Sequence, residues 1–84
     1  MNSKQKRTLS DIFTEPVSSS VNWKDIESLF LALKIDKIEG RGSRVRFHKA
    51  GVIASFHRPH PKKEAKRYQV KDARVFLEQL GIKS

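Results

Sequence analysis

The sequence predicts an α+β domain of order α-β-β-β-α: a three-stranded antiparallel sheet with both helices on one face. Three observations carry this. Two segments with apolar residues at helical spacing bracket the middle of the chain. Between them, Arg44–Lys49 and Val52–Arg58 each alternate apolar and polar residues around the tight reversal Ala50-Gly51. A shorter alternating run, Lys34–Glu39, precedes the turn Gly40–Ser43.

The first helix is Trp23–Leu33, with Trp23, Ile26, Leu29, Phe30 and Leu33 on one face, Asn22 as its cap and Asp25 and Glu27 in its first turn. In the strand Lys34–Glu39, Ile35 and Ile38 are the candidate inward residues. The second strand turns Val45 and Phe47 inward and Arg44, Arg46 and His48 outward. The third returns with Val52, Ala54 and Phe56 inward and Ile53, Ser55 and His57 outward. Pro59-His60-Pro61 ends it, because proline lacks the ladder donor. After a charged loop at 62–69, Val70–Leu80 forms the last helix, with Val70, Ala73, Phe76, Leu77 and Leu80 inward and Gly81 as its stop. This is the sandwich of double-stranded-RNA-binding domains. Residues 1–20 lack sustained periodicity and read as a flexible N-terminal tail, with Leu9, Ile12, Phe13 and Val17 as weak docking residues; residues 21–84 form the domain.

Composition narrows the function. Eighty-four residues support one modest core and no deep, walled cavity, so a site should be shallow and suited to a polymer. Without cysteine there is neither a disulfide framework nor a thiolate metal site. No apolar run approaches a membrane span and no signal peptide is evident, so a cytoplasmic protein is expected. The net charge of +9 is localised: residues 37–74 hold twelve Lys or Arg against only Glu39, Glu64 and Asp72. Such clustering is the footprint of a polyanion binder. The same surface carries histidine, which moves protons near neutral pH, and arginine, whose fixed donors stabilise charge on phosphate.

That combination points to RNA binding and, with histidine as base, to cleavage through a 2′-hydroxyl without a metal. His57 and His60 are the candidate catalytic residues, with Arg44, Arg46, Arg58, Lys62, Lys63, Lys66 and Arg67 as the RNA-binding set. On the predicted register Arg44 lies beside His57 and Arg46 beside Ser55. No metal or other cofactor is expected: no carboxylate or thiol joins the histidines, and a two-metal nuclease needs clustered acids. A non-catalytic RNA-binding domain, or a module docking an acidic protein, would fit the same charge.

Trp23–Ile82 resembles the HicA family, the small ribonuclease toxins of toxin–antitoxin pairs. The resemblance rests on the apolar end of the first helix, the Gly42-Ser43 turn opening the second strand, His60 four residues before Glu64, and the closing Val75–Ile82. It implies mRNA cleavage without a metal and inhibition by a cognate HicB-type antitoxin. Members typically carry a catalytic histidine just after the Gly-Ser turn, where this chain has Arg44 and Val45. Either the base has moved to His57 or His60, or the chain binds RNA without cutting it, or its activity is different; the first is preferred.

Overall fold

The computed structural model describes residues 1–84. Its elements are α1 (Ser3–Ile12), α2 (Trp23–Ala32), β1 (Asp36–Glu39), β2 (Arg44–Lys49), β3 (Val52–His57) and α3 (Arg67–Gln79). The strands form one antiparallel sheet in the order β1-β2-β3. Val45, Phe47 and Phe56 are buried against Trp23, Ile26 and Phe30 of α2 and Val70, Phe76 and Leu77 of α3 in one hydrophobic core. From Trp23 onward this is the expected α-β-β-β-α sandwich. No helix is long and apolar enough to cross a membrane.

The hairpin follows from its turn. Ala50 and Gly51 both take positive φ, +51° and +80°, the primed geometry that matches strand twist. This sets Arg44 opposite His57, Arg46 opposite Ser55 and His48 opposite Ile53. The expected pairing of Arg44 with His57 is therefore the observed one. Alternation then turns every second residue of β2 and β3 away from the core, since the side-chain period of a strand is 2.

Several local expectations are corrected. Residues 1–20 are not simply a flexible tail: Ser3–Ile12 is helical, with an Asn2–Gln5 capping box at its start. Leu9 and Ile12 are buried in the core, and Phe13 and Val17 pack on it, so the four apolar residues dock an extra helix onto α2 and α3. Arg74 secures the end of that helix, donating from Nε to Ile12 O (2.9 Å) and from a terminal nitrogen to Thr14 O (2.9 Å), and pairing with Glu15. These bonds satisfy carbonyls that the helix leaves open.

Asn22 makes no side-chain cap to α2; it forms an isolated bridge with Glu64, and Trp23 N donates to Lys63 O at 2.9 Å. The helix ends one residue sooner than expected because Lys34 takes φ +62°, with Lys34 N bonded to Leu31 O and Ile35 N to Phe30 O. That is a Schellman stop without glycine. β1 consequently begins at Asp36, Ile35 is buried, and Ile38 is exposed. Residues three apart in a strand cannot share a face, so both isoleucines could not point inward. The last helix starts three residues early, at Arg67.

If α1 is an integral part of the fold, Ile12→Ala should lower the unfolding free energy by about 2–4 kcal/mol, the cost of a buried aliphatic truncation. Urea denaturation checks this; an unchanged midpoint would show that the helix does not dock.

Candidate nucleic-acid interface

The face of the sheet away from the helices carries a shallow cleft of about 550 Å³, lined by Gly40, Arg41, Arg44, Val45, Arg46, Ser55, Phe56 and His57. Arg44 and His57 are direct cross-strand partners, and Arg46 stands opposite Ser55 two pairs further along. Directly opposed residues bring their Cβ atoms to about 4.5–5.5 Å, so a guanidinium and an imidazole can meet one phosphate group there. Arg41, Arg44 and Arg46 make no ion pair. The cleft lining contains no carboxylate, and no cluster of three metal-ligating side chains occurs in the chain.

The strand end that bears His57 is fixed from behind. Gln69, almost wholly buried, donates from Nε2 to His57 O at 2.6 Å, while its Oε1 accepts from Lys66 N at 3.0 Å. Both halves of the amide are thus satisfied, and the first turn of α3 anchors the backbone beneath the imidazole.

Arg58, expected among the RNA-binding residues, is paired with acids of the fold. Its guanidinium is spent on two carboxylates: Nε donates to Glu27 at 2.7 Å, and the terminal nitrogens donate to Glu39 at 2.8 and 2.9 Å. Trp23 Nε1 also donates to Glu27, and Lys37 approaches both acids at 3.6 and 3.7 Å. The odd-even pattern explains this. Arg58 follows the outward His57 and so turns toward the helices, where Glu27 waits on α2. Burial pushes the Glu27 carboxyl up, but hydrogen bonds from Arg58 and Trp23 and the charges of Arg58 and Lys37 outweigh it and hold the group below its ordinary range. Glu39 is lowered mainly by its hydrogen bond from Arg58. Arg58, bonded to Glu39 and Glu27, is raised further above its ordinary value. Through Arg58 this network ties α2 to the end of the sheet.

The other expected site residues divide. Lys62 and Lys63 line a second cleft, beside Pro59 and Pro61, while His60 lines neither cleft. Lys66 and Arg67 are exposed at the start of α3, outside both clefts. Arg41 was missed as a site residue; it sits in the turn before β2, where alternation says nothing about direction.

A family model described as the HicA toxin of bacterial toxin–antitoxin systems matches residues 23–82. The match covers α2 to the end of α3 and leaves α1 outside it. No curated protein and no solved structure matches the chain.

Arg58→Ala should destabilise the fold by about 1–3 kcal/mol, because the largely buried Glu27 carboxylate loses its charge-assisted hydrogen bond. The folded state keeps Glu27 ionised to lower pH than the unfolded chain does, so its contribution is complete above the ordinary value of 4.5 and is lost as pH falls through the lower folded-state value. The acid limb of a pH–stability curve below about 4.5 should therefore be shallower in Glu27→Gln than in the wild type. Superimposable limbs would remove this pair from the account.

Proposed function

Because the chain belongs to the HicA toxin family, we propose that it is an RNA-cleaving toxin that acts on mRNA in the cytoplasm without a metal, and that the arginine-lined cleft is its active site. The observation that carries this reading is the direct cross-strand pairing of His57 with Arg44, inside a cleft with two further unpaired arginines and no carboxylate. Positive charge without a local counter-ion has only a bound anion to neutralise it. Guanidinium donors in a fixed fork suit the phosphate of a nucleic acid.

In the proposed reaction His57 takes the proton of a 2′-hydroxyl. The 2′-oxygen then bonds to the adjacent phosphorus, the bond from phosphorus to the 5′-oxygen breaks, and the leaving oxygen collects a proton from water at the open cleft. The products are a 2′,3′-cyclic phosphate and a free 5′-hydroxyl. Arg44, Arg46 and Arg41 stabilise the charge that builds on the phosphorane, which is the larger part of the rate gain.

The missing family histidine fits this arrangement. Of the two positions after the Gly-Ser turn, Arg44 opens on the cleft, whereas Val45 is buried in the core. His57 faces Arg44 across the ladder, so a base on β3 reaches the space that a side chain at position 44 would occupy. His60 is outside the cleft lining, and the role of base goes to His57 alone. A cognate HicB-type antitoxin would neutralise the toxin by laying an acidic surface over the same arginines.

Purified protein is expected to cleave RNA in the presence of chelator and to leave cyclic-phosphate ends. His57→Ala should slow this by about 10²–10⁴-fold, the usual worth of a positioned general base. Arg44→Ala should do the same without loss of fold, and His60→Ala should stay within a few-fold of wild type. RNA left intact by the wild type would mean a binding protein and not a nuclease. Growth arrest on induction, relieved in His57→Ala, gives the corresponding reading in cells.

A further inference from the structure

A second cleft, of about 410 Å³, lies where the exit from β3 meets the start of α2, and Lys4, Lys24, Lys62 and Lys63 line it. Asp25 is the single acid in its lining, and that carboxylate already faces Lys4 at 3.5 Å. Lys24, Lys62 and Lys63 make no ion pair. Charge of one sign is therefore gathered from three separate parts of the chain: α1, α2 and the loop after β3.

The frame that holds these lysines is rigid. Trp23 N donates to Lys63 O at 2.9 Å, Ala65 N to Val21 O at 2.7 Å, and Asn22 bridges Glu64. The loop is thus stitched to the entry of α2 by main-chain bonds, and both flanking residues, Trp23 and Ala65, are buried. Like charges brought together on a fixed frame cost energy unless something neutralises them.

The two clefts are neighbours. His57 lines the first and Pro59 the second, and two residues of extended chain span at most about 7 Å. Arg58 between them is turned inward and cancelled by Glu27 and Glu39, so it does not interrupt the outer surface. The clefts differ in chemistry. The first offers arginine forks beside a histidine, and the cations of the second are all lysines, compact charges that hold a phosphate without fixing its orientation.

We propose that the lysine cleft is a second phosphate subsite, which holds the continuation of the RNA strand whose reacting phosphate sits beside His57. The inference rests on RNA being the substrate. It gives Lys4 and Lys24 a role in binding, and so gives α1, outside the matched family region, a part in substrate affinity. Lysine contacts to backbone phosphates carry no base information, so this subsite adds affinity and length dependence without sequence preference.

The test uses full-length protein and 2′-O-methyl oligoribonucleotides, which lack the attacking hydroxyl and stay intact. Wild type should bind a ten-nucleotide strand at least tenfold more tightly than a trinucleotide. In a Lys4→Ala/Lys24→Ala/Lys62→Ala/Lys63→Ala variant that gain should vanish, while trinucleotide affinity stays within about twofold. The salt dependence of ten-nucleotide binding should fall in log–log slope by about 0.7 for each strand phosphate that the subsite holds. All four side chains are on the surface, and a circular dichroism melt confirms that the variant is folded. A variant that keeps the length gain and the full slope, while Arg44→Ala lowers trinucleotide affinity, overturns the second subsite and leaves the nuclease reading standing. No binding of either oligonucleotide by wild type overturns both.

Discussion

The packing of Phe30 against Phe47 and Phe76 is the contact on which the remaining structure hangs. Its ring meets Phe47 edge-on at 4.9 Å and Phe76 at 5.4 Å, and Trp23 meets Phe56 at 5.1 Å. These rings join α2, α3 and two strands in one cluster. Removing any of them would cost on the order of 3–5 kcal/mol, a large part of what a domain of this size has. Because the cluster takes one face of β2 and β3, a period of 2 forces the intervening residues onto the other face. The arginines and His57 are displayed there because the phenylalanines are not. A one-residue slip of register would bury the arginines and expose the rings, so the core specifies the cleft as strictly as it specifies the fold.

Charge in this chain does two kinds of work, and only geometry separates them. Arg58 and Arg74 belong to the same basic window as Arg44 and Arg46. Yet Arg58 is locked to Glu27 and Glu39, and Arg74 holds the end of α1. Lys49 is likewise committed, donating from Nζ to Leu33 O at 2.6 Å. These side chains satisfy acids and open carbonyls that would otherwise be partly desolvated without partners. The arginines of the cleft have no such duty and make no ion pair, and that difference, not the net charge, is what favours them as anion binders in the proposed function.

The departure at the Gly-Ser turn also gains a physical frame. An antiparallel ladder offers two backbone positions for each point on its surface, one on either strand. Side chains at residues 57 and 44 approach the same patch of space from opposite strands, so in the proposed reaction the base could change strands while the phosphate position is kept. Gln69 gives that arrangement its precision, since a strand end held only by solvent would leave the imidazole free to wander.

Local periodicity was enough for the elements from Trp23 onward, for the hairpin register and for the outward placement of Arg44, Arg46 and His57, because a two-residue turn and a period of 2 leave no freedom once one face is apolar. It was not enough for α1, whose two apolar residues, Leu9 and Ile12, are too few to announce a helix and become meaningful only beside α2 and α3. Nor was it enough for the end of α2, where Lys34 does the work usually given to glycine. The division of the basic residues lay beyond it altogether. Whether a guanidinium is free or paired depends on acids far away in sequence, such as Glu27 thirty-one residues from Arg58. Three-dimensional closure decided that, because only the folded chain brings a charge to its partner.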